Sequence, residues 1–120
     1  KQDSFCASQW IFEWSSEPPA FGDATDYLRA LLDESPQDAL NCILDLIRCA
    51  PDLAALDVIG AGPLEDLIGW HGSVVIHQLE HIAATSTEFR RALRNVRIDT
   101  QEASIQERIR QAAESETLHA

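Results

Sequence analysis

Apolar residues recur at intervals of three and four along almost the whole chain, and no stretch alternates apolar and polar residues as a half-buried strand does. The clearest stripe lies between two prolines. Ser35-Pro36 is a favourable helix start, and Pro51 ends the run. One face of this helix carries Leu40, Ile43, Leu44 and Ile47. The period predicts an all-α fold.

Similar stripes predict about seven helices in all. Asp23 or Thr25 is the expected cap of the second helix, and Asp99 or Thr100 that of the last. The shorter stripes place these residues inward: Ala7, Trp10, Ile11 and Trp14; Tyr27, Leu28, Leu31 and Leu32; Leu53, Leu56 and Ile59; Leu64, Leu67 and Ile68; Val75, Ile76, Leu79, Ile82 and Ala83; Phe89, Ala92, Leu93 and Val96; Ile105, Ile109 and Ala112.

Glycine and proline mark the expected breaks. Gly60-Ala61-Gly62-Pro63 should let the chain turn and restart a helix at Pro63, and Gly69 and Gly72 should end that helix before Ser73 opens the next. The short connections predict stacked antiparallel helix hairpins, in a HEAT-like arrangement rather than a four-helix bundle. Residues 36–50, 52–71 and 73–97 are each expected to form a helix hairpin or part of one.

A length of 120 residues suits one domain. We expect a single helical domain over 1–120, with a terminal helix at 98–115 and a frayed tail at 116–120. No apolar run approaches the ~20 residues of a bilayer-spanning helix, and 1–8 lack the pattern of a signal peptide. The odd set of Cys6, Cys42 and Cys49 excludes a complete disulfide framework and favours a cytoplasmic location.

The charge is strongly negative and unevenly distributed. Twenty acidic and nine basic residues give a net −11. Residues 1–70 hold 13 acidic and 3 basic residues, a net −10, whereas 71–120 hold 7 and 6, a net −1. Such a surface repels nucleic acid and anionic lipid and attracts cationic partners. It predicts a protein partner with a basic surface, and no direct nucleic-acid or membrane binding; the alternative is that the acids serve solubility alone.

Three motifs stand out in the second half of the chain. Residues 61–68 are Ala-Gly-Pro-Leu-Glu-Asp-Leu-Ile, His71-Gly72 follows, and 89–93 are Phe-Arg-Arg-Ala-Leu. These resemble a family of small bacterial domains marked by Ala-Gly-Pro-Leu-Glu-Asp-Leu-Leu, His-Gly and Phe-Arg-Arg-Ala-Leu, whose members also have a Trp-rich first helix and no established activity. The resemblance covers about 9–97 and implies the fold and a bacterial or phage origin. The chain departs from the family at Arg97, where a Trp is expected.

His77, Glu80 and His81 fit the His-x-x-Glu-His pattern of inverted zinc peptidases, in which two histidines one turn apart bind zinc and the glutamate acts as base. Here both histidines lie on the polar side of the predicted helix, and a peptidase also needs a third ligand and a cleft. Gly60-Ala61-Gly62 is not a phosphate loop, because no strand precedes it and two acids follow. We therefore predict no metal, no cofactor and no enzymatic activity; adventitious metal binding and a metal-dependent hydrolase are the alternatives.

Two further features are open to a structural or a binding interpretation. Trp70 is predicted to be a buried plug, with an exposed contact anchor as the alternative, and His71 to cap helix carbonyls. The helix of Phe89 has a basic side, interpreted as a solvated face that pairs with the chain's own acids rather than with phosphate. That side carries Arg90, Arg91, Arg94 and Arg97.

A compact acidic domain without a reaction centre favours a stoichiometric binding protein. The expected class is an immunity protein, an antitoxin, or a phage-encoded inhibitor such as an anti-CRISPR protein, acting on a toxin or a nucleic-acid-binding defence protein. A helical adaptor in a larger bacterial assembly is the alternative, and the oligomeric state is open. The predicted contact residues cluster at the expected helical break: Asp52, Asp57, Glu65, Asp66, Trp70 and His71.

Overall fold

The computed structural model describes residues 5–99 and 101–114. Within these ranges the chain forms helices and no strand, which confirms the all-α class and the approximate number of helices. The elements are α1 (Ala7–Ser15), α2 (Asp23–Glu34), α3 (Pro36–Cys49), α4 (Leu53–Ile59), a π-helical segment (Gly60–Leu64), α5 (Glu65–Ala83), α6 (Thr87–Leu93) and α7 (Ala103–Glu114). The HEAT-like stacking stays a prediction. Thr100 and the tail at 116–120 lie outside the described residues.

The core lies where the apolar stripes place it. Helix α5 packs against α7, α3, α6 and α2, while α1 and α2 pack on α3 and α4 packs on α6. Side chains with no exposed surface come from several helices, including Ile43, Leu46, Leu67 and Phe89. Among the residues of the predicted apolar stripes, Leu53 is misplaced: it is the first residue of α4 and is 58% exposed.

The chain does not break at Gly60-Ala61-Gly62-Pro63, as the sequence predicts, but continues from α4 into α5 through the π-helical segment. Pro63 has no N–H, and its ring crowds the carbonyl four residues earlier, so it disrupts a regular α-helical turn. A wider turn removes the conflict, and the N–H of Glu65 bonds to the carbonyl of Gly60, five residues earlier. Gly62 has no positive φ; its missing Cβ relieves the crowding that proline imposes on the preceding residue.

The second predicted break, at Gly69 and Gly72, is a bend inside α5. The backbone leaves helical angles at His71 (φ −137°, ψ 23°), so two helices meet there at a kink, which agrees with the predicted helix end between Gly69 and Gly72. Buried side chains lie on both sides of the kink. Residues 52–71, predicted as a hairpin or part of one, instead hold α4 and the start of α5, which the π-helical segment joins without a break.

Gly60 allows the π-helical segment to touch the backbone of α6. A Cβ built at Gly60 would lie 1.9 Å from the carbonyl oxygen of Ala92 and 2.7 Å from its carbonyl carbon. No side chain fits there unless α6 moves. Gly69 differs, since a Cβ at that position meets nothing within 4 Å. The requirement for glycine at position 60 comes from close packing and not from a turn.

We expect Gly60→Ala to lower the free energy of unfolding by at least about 2 kcal/mol, because α6 must shift or the added methyl group overlaps it. Gly69→Ala is the matched control and should raise stability by up to about 1 kcal/mol, since alanine is the better helix former. Urea titrations of both variants measure the difference. Equal effects of the two substitutions would contradict the close contact between the π-helical segment and α6.

A buried carboxylate joins α1 to α2, and neither Asp23 nor Thr25 caps α2 as predicted. Glu13 is 2% exposed and accepts hydrogen bonds from the backbone N–H groups of Gly22 (2.9 Å), Ala24 (3.3 Å) and Thr25 (3.0 Å), and from the Thr25 hydroxyl. These are N–H groups that a helix start leaves without internal partners. The cap thus comes from a residue ten positions before Asp23, a separation that local capping rules do not consider.

Thr25 extends this contact to the aromatic side chains of α1. Its Oγ1 accepts from the indole N–H of Trp14 at 3.1 Å while its hydroxyl proton goes to Glu13. Trp14 in turn stacks on Trp10, with ring centroids 5.0 Å apart. The predicted inward position of Trp10 is confirmed (3% exposed), and Trp14 is half-buried. One carboxylate therefore fixes the relative position of two helices and two indole rings.

Glu13 makes stability depend on pH in the acid range. Burial alone would raise its pKa, but hydrogen bonds from Thr25, Gly22 and Gln9 outweigh burial and lower the pKa from 4.5 to about 2. The stabilisation is complete above the unfolded-state value of 4.5 and is lost as the pH falls from 4.5 towards 2. A shift of this size corresponds to about 3 kcal/mol.

We expect Glu13→Gln to be less stable than the wild type by roughly 3 kcal/mol at pH 7, since an amide nitrogen would replace one accepting oxygen. The difference should shrink as the pH falls below 4.5, because the wild-type carboxylate is then protonated on unfolding. Guanidinium titrations from pH 7 to pH 2.5 measure this trend. Glu17→Gln, in the exposed loop after α1, should change stability little at any of these pH values; a constant difference for Glu13→Gln across the series would contradict the buried ionised state.

The other helix starts agree with the sequence in part. Ser35 is the N-cap residue of α3, with Pro36 in the first turn, but its side chain makes no capping bond. Asp52 caps α4 by accepting from the N–H of Ala55, and Ser86 caps α6 by accepting from the N–H of Phe89.

Candidate protein-binding face

Glu65, Asp66 and Trp70 line one open hollow of about 280 Å³ on the surface of α5. They are brought together because residues four apart lie one above the other on a helix. The remaining lining residues are Gly69, Arg97 and Asp99. We call this the acidic hollow. Three of the six predicted contact residues therefore share one site. Asp99 adds a third carboxylate to it, although the sequence predicts Asp99 only as a helix cap.

Glu65 has a structural task in the acidic hollow. Its Oε1 accepts a hydrogen bond from the backbone N–H of Arg97 at 2.9 Å. This bond holds the segment that follows α6 against α5. A substitution at Glu65 therefore alters the shape of the hollow as well as its charge.

Asp66 has no comparable structural task. The helix continues upstream through the π-helical segment, so Asp66 does not lie at a free helix N-terminus, where an acid would be favourable. Loss of water around the carboxyl and the charge of Glu65 raise the pKa of Asp66, and the charge of Arg29 only partly offsets these two effects. Its charged form is therefore less favourable in the folded state than in water.

Trp70 is exposed, which contradicts the predicted buried plug. Its exposed fraction is 59%, and Val74, one turn later on the same face, is 66% exposed. Leu67 and Ile68 face the core, whereas Trp70 lies four residues after the exposed Asp66, on the polar side of the same helix. A large exposed indole beside carboxylates fits the alternative interpretation, a contact anchor.

His71 caps a carbonyl, as predicted. Its Nε2 lies 2.7 Å from the carbonyl oxygen of Leu32 in the last turn of α2. The residue four positions after Leu32 is Pro36, which has no N–H to donate, so that carbonyl lacks a helical partner. His71 supplies the missing proton and ties α5 to the junction of α2 and α3. It is a structural residue and not a free contact.

Asp52 and Asp57 do not join the acidic hollow. Asp52 caps α4 and lines a separate cleft. Asp57 receives two hydrogen bonds from the Arg91 guanidinium (2.8 and 3.0 Å) and one from Asn95 (2.8 Å). The bonds from Arg91 lower the pKa of Asp57. The pair connects α4 to α6, which gives Asp57 a structural role, and its predicted contact with a partner stays a prediction.

The four arginines predicted on one basic helix side are divided, because α6 ends at Leu93 and both Arg94 and Arg97 follow it. Arg91 pairs with Asp57, in agreement with the predicted pairing to the chain's own acids, and Arg94 and Arg97 are exposed. Arg90, however, is 6% exposed, and its guanidinium donates to the carbonyl of Ala83 at 2.6 Å. Arg90 therefore supplies a hydrogen-bond donor for a carbonyl at the end of α5. Its position in a run of arginines does not reveal this role.

Sequence reasoning missed a cleft between α1 and α4, with a volume of about 290 Å³. Its walls are mostly apolar, and we call it the α1–α4 cleft. It is lined by Trp10, Ile11, Trp14, Ser15, Pro51, Asp52, Ala54, Ala55 and Val58. The signal for it was present in the paired tryptophans, which were assigned to the core alone.

The α1–α4 cleft and the acidic hollow belong to one continuous surface. A small hollow of about 50 Å³ lies between them; it shares Trp10 and Trp14 with the cleft and Asp66 with the acidic hollow. Gly62 and Pro63 form its floor on the bent helix. We call the whole surface the α4–α5 face. It combines apolar walls, exposed carboxylates, an exposed indole and two arginines, Arg29 and Arg97.

The His77, Glu80 and His81 cluster is arranged around an arginine. Arg108 of α7 donates two hydrogen bonds to the Glu80 carboxylate (2.8 and 2.6 Å), which lower the pKa of Glu80, and its Nη2 lies 3.1 Å from His77 Nδ1. Among residues 5–99 and 101–114, no three His, Cys, Asp or Glu side chains are grouped as metal ligands. The two histidines are exposed, as predicted.

The fold and this face define a small all-α domain with an acidic surface. Residues 14–117 match the family of unknown function DUF6869, so the chain belongs to that family. The match extends through α7, beyond the 9–97 of the sequence resemblance. No curated protein and no solved structure shows significant similarity to the chain. In the part of the chain that the structure describes, no helix has the length and apolarity to cross a bilayer.

We expect metal chelation to leave the protein folded, because Glu80 is occupied by Arg108 and both histidines lie on a solvated helix face. Thermal unfolding with and without EDTA should give the same Tm within about 1 °C, whereas a ΔΔG of 1 kcal/mol would shift it by several degrees. Elemental analysis of the purified protein gives the second readout. One zinc ion per chain, or a large fall in Tm on chelation, would contradict this interpretation.

Proposed function

We propose that this protein is an acidic, stoichiometric protein-binding module that uses the α4–α5 face to dock on a basic surface of a partner protein. The observation that supports this most directly is the acidic hollow. Trp70 and Asp66 are both exposed there. A large exposed aromatic side chain beside carboxylates is typical of a contact site.

The distribution of charge supports the same proposal. The half of the chain that supplies α1 to α4 and the start of α5 carries a net −10. A field of this sign attracts a cationic groove and repels nucleic acid, so it speeds encounter with proteins that bind nucleic acid through basic surfaces. Toxins and defence proteins of that kind are the expected partners, which gives an immunity, antitoxin or phage-inhibitor role of the anti-CRISPR type.

The cysteines are consistent with a cytoplasmic location, which we include in the proposal. Cys6, Cys42 and Cys49 are all free. Burial, with smaller effects of Asp45 and Asp38, raises the pKa of the Cys42 thiol to about 11, so that thiol is unreactive. A protein with free thiols is best suited to a reducing compartment.

Affinity purification from bacterial lysate, followed by mass spectrometry, is the first test. The wild type should retain a basic protein at fixed stoichiometry. A helical adaptor in a larger assembly, the second candidate, should instead retain several proteins, and substitutions on one face should remove only some of them.

The decisive variant is Asp66→Lys, because Asp66 has no structural task, whereas reversal of Glu65 would also remove its bond to Arg97. We expect Asp66→Lys to lower the association rate with the captured partner roughly tenfold. The association rate of the wild type should also fall as salt shortens the screening length from ~10 Å at 0.1 M to ~3 Å at 1 M. Stopped-flow or surface plasmon resonance measures both effects.

Glu88→Lys is the matched control, since Glu88 is exposed, lies on α6 and lines none of the three hollows. It makes the same change in net charge and should affect the association rate much less than Asp66→Lys. Equal effects of the two reversals would show that only total charge matters. A salt-independent rate that neither variant changes would contradict the proposal.

A further inference from the structure

Hydrogen bonds and ring stacking hold the walls of the α1–α4 cleft in place. The indole N–H of Trp14 is fixed by Thr25, Thr25 is fixed by the Glu13 carboxylate, and Trp10 stacks on Trp14. The opposite wall belongs to α4, whose first turn is capped by Asp52. A preformed cleft binds with little loss of conformational entropy, because its side chains are already ordered.

The chemistry of the cleft selects an apolar group. Its polar lining residues are Ser15 and Asp52, and the other seven lining residues are aromatic, aliphatic or proline. The volume of about 290 Å³ is just below the ~300–1,000 Å³ of typical small-molecule sites, and the two polar groups do not form the convergent set that such sites use to orient a ligand. An aliphatic side chain from a protein fits these walls better than a polar metabolite.

The charges around the cleft favour an apolar group that has cationic side chains next to it in the partner. Asp52 lies on the rim of the cleft, and Asp66 lies beyond the shared tryptophans, in a small hollow that Arg29 also lines. No basic residue lines the cleft itself. A second copy of the chain is a poor occupant, because its own surface from α1 to the start of α5 carries the same net −10.

Building on the proposed function, we infer that the α1–α4 cleft receives an apolar side chain from a basic amphipathic segment of the partner protein, whose Lys or Arg side chains reach Asp52 and Asp66. The partner would then meet the face in two ways. Attraction between the partner's cationic side chains and the acidic rim speeds association, and the apolar side chain in the cleft slows dissociation.

Three synthetic helical peptides test this inference with the full-length protein. The first has Leu on one face and Lys on the other, the second replaces Leu with Gln, and the third replaces Lys with Glu. Amide and indole signals in ¹⁵N-labelled protein report the position of binding: Ala54, Val58 and the Trp10 and Trp14 indoles for the cleft, and Asp66 and Trp70 for the acidic hollow.

We expect the Leu/Lys peptide to shift the signals of the cleft and to bind at least about tenfold more tightly than either of the other peptides. Ala54→Phe should weaken its binding by about tenfold, because Ala54 is exposed, lines the cleft and would fill it when enlarged. Leu53→Phe is the matched control, since Leu53 is exposed on the same helix but does not line the cleft, and it should change affinity less than twofold.

The possible failures separate the inference from the proposed function. If the Leu/Lys and Gln/Lys peptides bind equally and shift only Asp66 and Trp70, the cleft does not hold an apolar anchor, while the acidic docking face stands. If the Leu/Glu peptide enters the cleft as well as the Leu/Lys peptide, the cleft does not select a basic segment, and both proposals lose support. If no peptide shifts the cleft signals, the inference is wrong, and partner capture alone decides the proposed function.

Discussion

The buried carboxylate of Glu13 is the contact on which much of this structure depends. It accepts the N–H groups that the start of α2 leaves unpaired, and through Thr25 it holds Trp14 against Trp10. A carboxylate without partners would be strongly unfavourable in the core, whereas one that receives several hydrogen bonds stays ionised and rigid. The same atoms therefore set the angle between α1 and α2 and build one wall of the α1–α4 cleft, so the stability of the fold and the shape of the proposed binding face have a common origin.

The second constraint is the proline in the middle of a continuous helix. Pro63 cannot take part in a regular turn, and the π-helical segment that accommodates it brings the backbone of Gly60 onto α6. Further along, α5 is kinked at His71, and the His71 ring completes the hydrogen bonding of the last turn of α2. Irregular turns of this kind often accompany functional sites. On both sides of the kink α5 buries apolar residues in the core.

The residues predicted to contact a partner have separated into two kinds. Glu65, Asp57, Asp52 and His71 each satisfy a backbone group or a guanidinium, so each has a structural reason to be present. Asp66 and Trp70 satisfy no comparable group. The pKa of the Asp66 carboxyl is raised in the folded protein, and Trp70 is a large apolar side chain exposed to water. They carry the functional argument, and the unexpected cleft beside them extends it.

The sequence by itself determined the helical class, the apolar faces and the uneven charge, because each follows from spacing and composition along the chain. It predicted Leu67, Phe89 and Ile109 in the core for that reason, and all three are buried. Only the tertiary structure decided that Glu13 caps α2, that Arg90 is buried, that Gly60 and Pro63 lie within a helix and that Trp70 is exposed. Each of these depends on which distant group meets an unpaired N–H, a carbonyl or an apolar face, and local propensity contains no information about such partners. The candidate face was predictable as far as its charge, while its cleft lies between α1 and α4, which both pack on α3, an arrangement that no spacing along the chain reveals.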